Sequence, residues 1–338
     1  MVNVKRVERH SNFELLRIIC MVLIVAHHFS CHADYVSTIS SINSVVIKTL
    51  IVGGRLGVNV YVLISGYFLI NSKFNIKKIV KIVVQVLFYS LLIYFILLAS
   101  GQIKFSLETL FKMVFPILTS QYWFITCYVL MLILSPFINV CLKNCTQNQH
   151  LTLIFILLFV QILMPLFFYT NLMLNVGWFI TLYIISAYFR LYPHKIFNNN
   201  KIMVPIALIT FLAMIVFNVF FNKPVYDIKN ITCFICSITL FCSFKNFNIK
   251  SNKLINYIAS LTLGVYLIHE HSALRPVLWN KIIKAPMHSL FVYFPIYAIC
   301  SIVIVFLVCC VIDFIRIRCF NVIDNFIKRK TNLTNNLK

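Results

Sequence analysis

Long apolar runs separated by short polar connectors organise the 338-residue chain. A bilayer core takes about 20 apolar residues per helix. Ten runs approach that length: 13–31, 50–70, 79–99, 122–142, 150–170, 175–192, 202–221, 229–246, 254–271 and 289–314. The stretch FSLETLFKMVFPILTS at 105–120 is too short and too broken to span, and predicts a re-entrant or interfacial helix. No Gly/Ser-rich linker, polar block or internal repeat interrupts the series. The pattern therefore predicts an all-α polytopic membrane protein with about ten transmembrane helices. It forms one membrane-embedded domain over 1–338, with tails at 1–12 and 315–338.

Composition agrees. The chain is 61% hydrophobic and 11% charged, with a mean hydropathy of +0.92, whereas a soluble domain is about half apolar and a quarter charged. A formal net charge of +22 invites a nucleic-acid reading. The Lys and Arg instead fall in short clusters between apolar runs, as topology signals do, and no nucleic acid is expected. With the N-terminus in the cytoplasm, twenty of the 30 basic residues lie in inside segments and nine in outside segments, Arg17 remaining within a span. That bias predicts both termini in the cytoplasm. Lys5, Arg6 and Arg9 precede the first run as in a signal peptide, but HHFSCHAD follows it rather than a small-x-small cleavage site, so a retained first span is expected. Most of the 12 cysteines sit inside apolar runs, the C-x-x-C of Cys233 and Cys236 included, and read as packing residues.

The first run, NFELLRIICMVLIVAHHFSCH, carries the chemistry. Ionisable groups inside a span are costly and mark function. Arg17 and His28 are eleven residues apart, which on a helix is about three turns plus roughly 20°, with an axial rise of about 16 Å. They share one face, with Met21 and Ile24 between them, and Glu14 lies one turn before Arg17, within reach of an ion pair. His27 turns about 100° away and His32 lies one turn beyond His28. The stripe offers a cation near the inner boundary for the anionic part of an activated donor, and an imidazole deeper in as a proton acceptor. The His28/His32 pair has metal-ligand spacing, but no nearby carboxylate or H-E-x-x-H supports it, and no metal is expected.

Further candidates cluster at the predicted outer ends of other runs. In GGRLGVNVYVLISGYFLI, the glycines permit close helix approach, and Arg55 and Asn59 lie one turn apart near the expected depth of His28. Tyr122 and Trp123 open the fourth run and suit an aromatic belt or a substrate contact. The ninth run ends on His269, Glu270, His271 and Arg275, more polar groups than anchoring requires. Arg275 and Trp279 have the chemistry to hold a sugar.

The E-x-x-R-x10-H pattern of Glu14, Arg17 and His28, with GRLGVNVYVLISGYFLI, QYWFITCYVLMLILSPFIN and LTLGVYLIHE following in order, resembles the acyltransferase-3 family of integral membrane O-acyltransferases. The blocks are similar in style to those of acetyltransferases that decorate bacterial surface polysaccharides. The resemblance implies a ten-helix enzyme of the bacterial cytoplasmic membrane. It would move an acetyl group from cytoplasmic acetyl-CoA, or another short acyl-CoA, to a hydroxyl of a carbohydrate acceptor, polymeric or lipid-linked, with no bound cofactor. It makes His28 the catalytic histidine, Arg17 the residue that positions the acyl-CoA, and Glu14 its acidic partner. Many members carry Asp where this chain has Asn59, so a role needing a carboxylate there is not carried over. Arg55, Asn59, Tyr122, Trp123, His269, Glu270 and Arg275 remain candidates for substrate binding, with Arg55, Asn59 or His269 as oxyanion donor. A transporter or flippase for a glycan or solute, or a membrane glycan polymerase, explains the buried charges without acyl transfer.

Overall fold

The computed structural model describes residues 10–36, 39–165, 175–221 and 227–335, with side chains as far as 322. Among them the chain is helical and has no strand. The helices are α1 (Ser11–His32), α2 (Ser41–Leu50), α3 (Gly53–Leu69), α4 (Ile76–Ala99), α5 (Leu107–Val114), α6 (Trp123–Asn144), α7 (Gln147–Leu158), α8 (Asn175–Leu191), α9 (Asn200–Phe220), α10 (Ile231–Asn246), α11 (Lys253–His269) and α12 (Phe294–Asn335).

Among the described residues, six segments are long and apolar enough to cross a membrane: α1, α2 with α3, α4, α6, α9 and the first part of α12. The ten expected runs are therefore not all spans by this measure. α7, α8, α10 and α11 are helical but shorter, with 12, 17, 16 and 17 residues. At 1.5 Å per residue, the latter three reach about 24–26 Å, against a core of about 30 Å. Hydropathy counts every apolar residue, whereas a helix starts where its cap is met. The Asn230 and Asn252 side chains accept N–H groups in the first turns of α10 and α11 and fix their starts, at Ile231, two residues into the expected run, and at Lys253, one residue before it. Part of the fifth run, 166–170, and residues 1–9 lie outside the described residues. The last run begins at Phe294 rather than 289 and continues as helix through Asn335. The broken stretch 105–120 yields only the eight-residue α5, packed on α4 and too short to cross.

α1 forms the axis. It packs against α3, α11, α12 and α10, and Leu16, Cys20, Val25 and Phe29 on it are completely buried. α3 runs antiparallel to it, since the Tyr61 hydroxyl donates to the Arg17 carbonyl while His27 meets Ile51 at the other end. A Cβ at Gly57 would strike the Cys20 carbonyl, so the glycine sets this close crossing. α11 runs parallel to α1: Ser11 donates to Asn256 at one end (2.8 Å) and His28 meets His269 at the other (2.8 Å). Asn12 adds a bond to the Phe244 carbonyl. Residues 11 and 12, expected in the N-terminal tail, are thus locked into the bundle. On the periphery, α9 exposes Leu208, Ile209 and Leu212, and α12 exposes Ile296, Ile299 and Leu307. Apolar side chains turned outward and polar ones inward suit a lipid solvent, in which backbone groups pair within helices.

Candidate active site

The parallel register of α1 and α11 brings the ends of both helices together. His28 Nδ1 lies 2.8 Å from His269 Nε2 and 3.2 Å from a Glu270 carboxylate oxygen. His32 Nε2 is 3.1 Å from that same oxygen, and Arg275 donates to the other at 3.0 Å. The hydrogen bonds assign the tautomers. His269 Nδ1 faces the Val265 carbonyl, which only accepts, so that nitrogen carries the proton and Nε2 accepts. His28 Nδ1 must then be the donor, leaving the lone pair of its Nε2 for other chemistry. Glu270 and His269 hold the base from behind, an arrangement that steers a histidine toward proton transfer.

His28, His32, Glu270 and Arg275 line a cavity of about 450 Å³, with Arg55 and Trp123 on the facing wall. The Arg55 guanidinium stacks over Trp123, 5.1 Å from the ring centroid. Behind it, Ile24, Val58, Phe124 and Tyr266 also line a second cavity of about 240 Å³. That one continues past Met21 to Arg17, where Arg17, Ala259 and Ser260 border a third cavity of about 780 Å³. The three spaces follow one face of α1, and their lining contains Glu14, Arg17, Met21, Ile24 and His28, the stripe expected from helical periodicity. Arg17 pairs with Glu14 at 3.0 Å.

The His28, His32 and Glu270 ligand atoms lie within 4.8 Å of one another, a donor set with the size and chemistry to hold a cation. The sequence showed the histidine pair but not its carboxylate, which is 238 positions away from His32. Arg275 already supplies a positive charge to that carboxylate, and repulsion from it opposes a second cation there.

Several expected contacts do not line the cavity, among them His269, completely buried beside His28. Asn59 is completely buried among α3, α8 and α10: its amide donates to the Ile228 carbonyl (3.0 Å) and accepts from Trp178 Nε1 (2.9 Å). Tyr122 is buried, and its hydroxyl donates to the Leu267 carbonyl. Both bolt helices together because a polar group at such depth needs a partner. Trp279, a sugar-stacking candidate, is buried edge-on to Phe29. Of the residues suited to oxyanion stabilisation, Arg55 remains on the wall. Tyr266 also lines both the first and second cavities, but its hydroxyl atom is itself buried and has no hydrogen-bond partner among the described residues. Its place one turn before His269, in GVYLIH, was the available signal.

A family model described as an acyltransferase domain matches residues 10–314. The chain belongs to the acyltransferase-3 family. No curated protein and no solved structure matches it. The matched region of this membrane acyltransferase contains every residue of the three cavities except Arg316, Ile317, Phe320 and Asn321, in the second half of α12.

Proposed function

We propose that the protein transfers an acetyl or other short acyl group from cytoplasmic acyl-CoA to a hydroxyl of a bacterial surface polysaccharide or its lipid-linked precursor. The observation that carries this reading is the row of abutting cavities from Arg17 to His28. A flexible arm with an anionic head and a reactive thioester at its tip has the shape for such a path. Arg17 meets the phosphates and the narrow middle encloses the pantetheine. The thioester then stops at His28. The acceptor sugar enters the outer cavity, where Trp123 offers a stacking face and Arg55 and Arg275 offer donors.

The acceptor oxygen attacks the thioester carbonyl carbon while its proton passes to His28 Nε2. The Tyr266 hydroxyl and Arg55 donate to the carbonyl oxygen as it gains charge. The C–S bond then breaks, and the sulfur takes the proton from the imidazolium and leaves as free CoA thiol. Glu270 stabilises the transient imidazolium, so no acyl-enzyme is required. The membrane setting adds a second line of support. α1, α3 and α11 run up, down and up, as the first, second and ninth helices of a ten-span protein with both ends in the cytoplasm would run. The site then sits in one multi-pass domain of the cytoplasmic membrane.

The test is acceptor-dependent thiol release from acetyl-CoA by the purified protein. A transporter, flippase or polymerase would give none, and that result would sink the proposal.

A further inference from the structure

Beyond Arg17, the inner cavity contains charges that acyl transfer at His28 does not use. Its wall carries Arg17, Lys77, Lys81 and Arg316 against one carboxylate, Glu14, which already pairs with Arg17. Arg316 is held in place from behind. Its Nε donates to the Asp313 carboxylate at 2.7 Å, and the same oxygen accepts from the Tyr89 hydroxyl (2.8 Å) and Gln85 (3.2 Å). Asp313 is completely buried. α11 makes room for it at Gly264, where a Cβ would coincide with the Asp313 carboxyl. The guanidinium is flanked by the Tyr89 and Phe320 rings, at 5.8 and 5.6 Å. Three helices thus fix one arginine at the rim of the largest of these cavities, a degree of restraint that a mere topology signal does not need.

Arg17 also borders a smaller space of about 200 Å³ lined by Lys73 and Lys78. Ligand sites generally enclose about 300–1,000 Å³. The cavity of about 780 Å³ with Arg316 falls within that range and the smaller one does not.

We propose that Arg316, held by Asp313 and assisted by Lys77 and Lys81, binds the 3′-phosphate of the CoA nucleotide, so that the enzyme selects complete acyl-CoA over carriers lacking that group. The inference rests on the acyl-CoA reading above. The pyrophosphate lies next to the pantetheine and falls to Arg17. The ribose phosphate lies further along, in the cavity where Arg316 waits. A fixed guanidinium matches a phosphate through paired N–H donors, which a mobile lysine does not. Asp313 acts as a positioning residue, since it touches Arg316 and not the ligand.

The test compares binding of CoA and 3′-dephospho-CoA to the full-length protein in phosphatidylcholine nanodiscs by calorimetry. The wild type should bind CoA about tenfold or more tightly than 3′-dephospho-CoA. R316Q should lower that ratio toward one by weakening CoA alone, its affinity for 3′-dephospho-CoA reporting an intact fold. D313N should lower the ratio in the same direction. A wild-type ratio near one, or equal loss of both ligands in R316Q, would overturn the proposal while leaving the acyl-CoA reading in place. Failure of the wild type to bind either ligand would overturn both.

Discussion

The two ends of the α1 stripe follow opposite electrical plans. At the Arg17 end, cations outnumber carboxylates around an open cavity, and the Glu14 carboxylate answers only one of them. At the His28 end, a single buried carboxylate, Glu270, is shared by His28, His32 and Arg275. The first arrangement leaves positive charge for an anion that a ligand must bring. The second pairs its carboxylate with Arg275, adds Arg55 on the facing wall, and keeps an imidazole lone pair for a proton. On the proposed reading, binding and chemistry are separated along one helix, by about 16 Å of rise.

Variants at each end should fail in different ways. His28→Ala removes the base and should lower acceptor-dependent thiol release about 10²–10⁴-fold, with CoA affinity retained in a binding assay. Loss of affinity with normal turnover would reverse the assignment of the two ends. Tyr266→Phe deletes one hydroxyl that has no hydrogen-bond partner to lose among the described residues. It should lower kcat about 10²–10³-fold without lowering the melting temperature; unchanged kcat would leave Arg55 as the oxyanion donor. Arg17→Gln should weaken CoA binding about 10–100-fold, the equivalent of a charge-assisted hydrogen bond of about 1.5–3 kcal/mol, and leave turnover at saturating donor near the wild-type value. The smallest effect concerns the His28, His32 and Glu270 trio. Dialysis against EDTA should leave turnover unchanged, and activity lost to chelation but restored by a divalent cation would make this end a metal centre instead.

The stripe itself was legible in the sequence because it is local. Glu14, Arg17, Met21, Ile24 and His28 share a face by helical periodicity alone, and all five line the cavities. Their partners were not legible. Glu270 and His269 approach His28 through the parallel packing of α1 and α11, across 241 positions for His269, and nothing in either segment specifies that register. Asn59 and Tyr122 were misplaced for a related reason. Polarity near the end of an apolar run marks a group that needs a hydrogen bond, but not whether a ligand or another helix supplies it. Arg316 and Asp313 show the converse: a basic cluster serving as a topology signal in the sequence becomes a braced side chain once α4, α11 and α12 meet. The helical class was clear from apolar runs. Their number was less so, because hydropathy marks an apolar run without fixing how much of it is helix: α10 and α11 have only 16 and 17 residues.

The narrow middle cavity has one more consequence. With the two ends facing opposite sides of an energised bilayer, as proposed, any path between them is a potential leak. Met21, Ile24, Val58, Ile125 and Leu263 contribute a largely hydrocarbon wall there. A hydrated ion crossing that stretch would have to shed water with little in return, whereas an uncharged thread can slide through. On that reading the constriction that guides the donor arm would also be electrical insulation, letting the enzyme work across a charged membrane without discharging it.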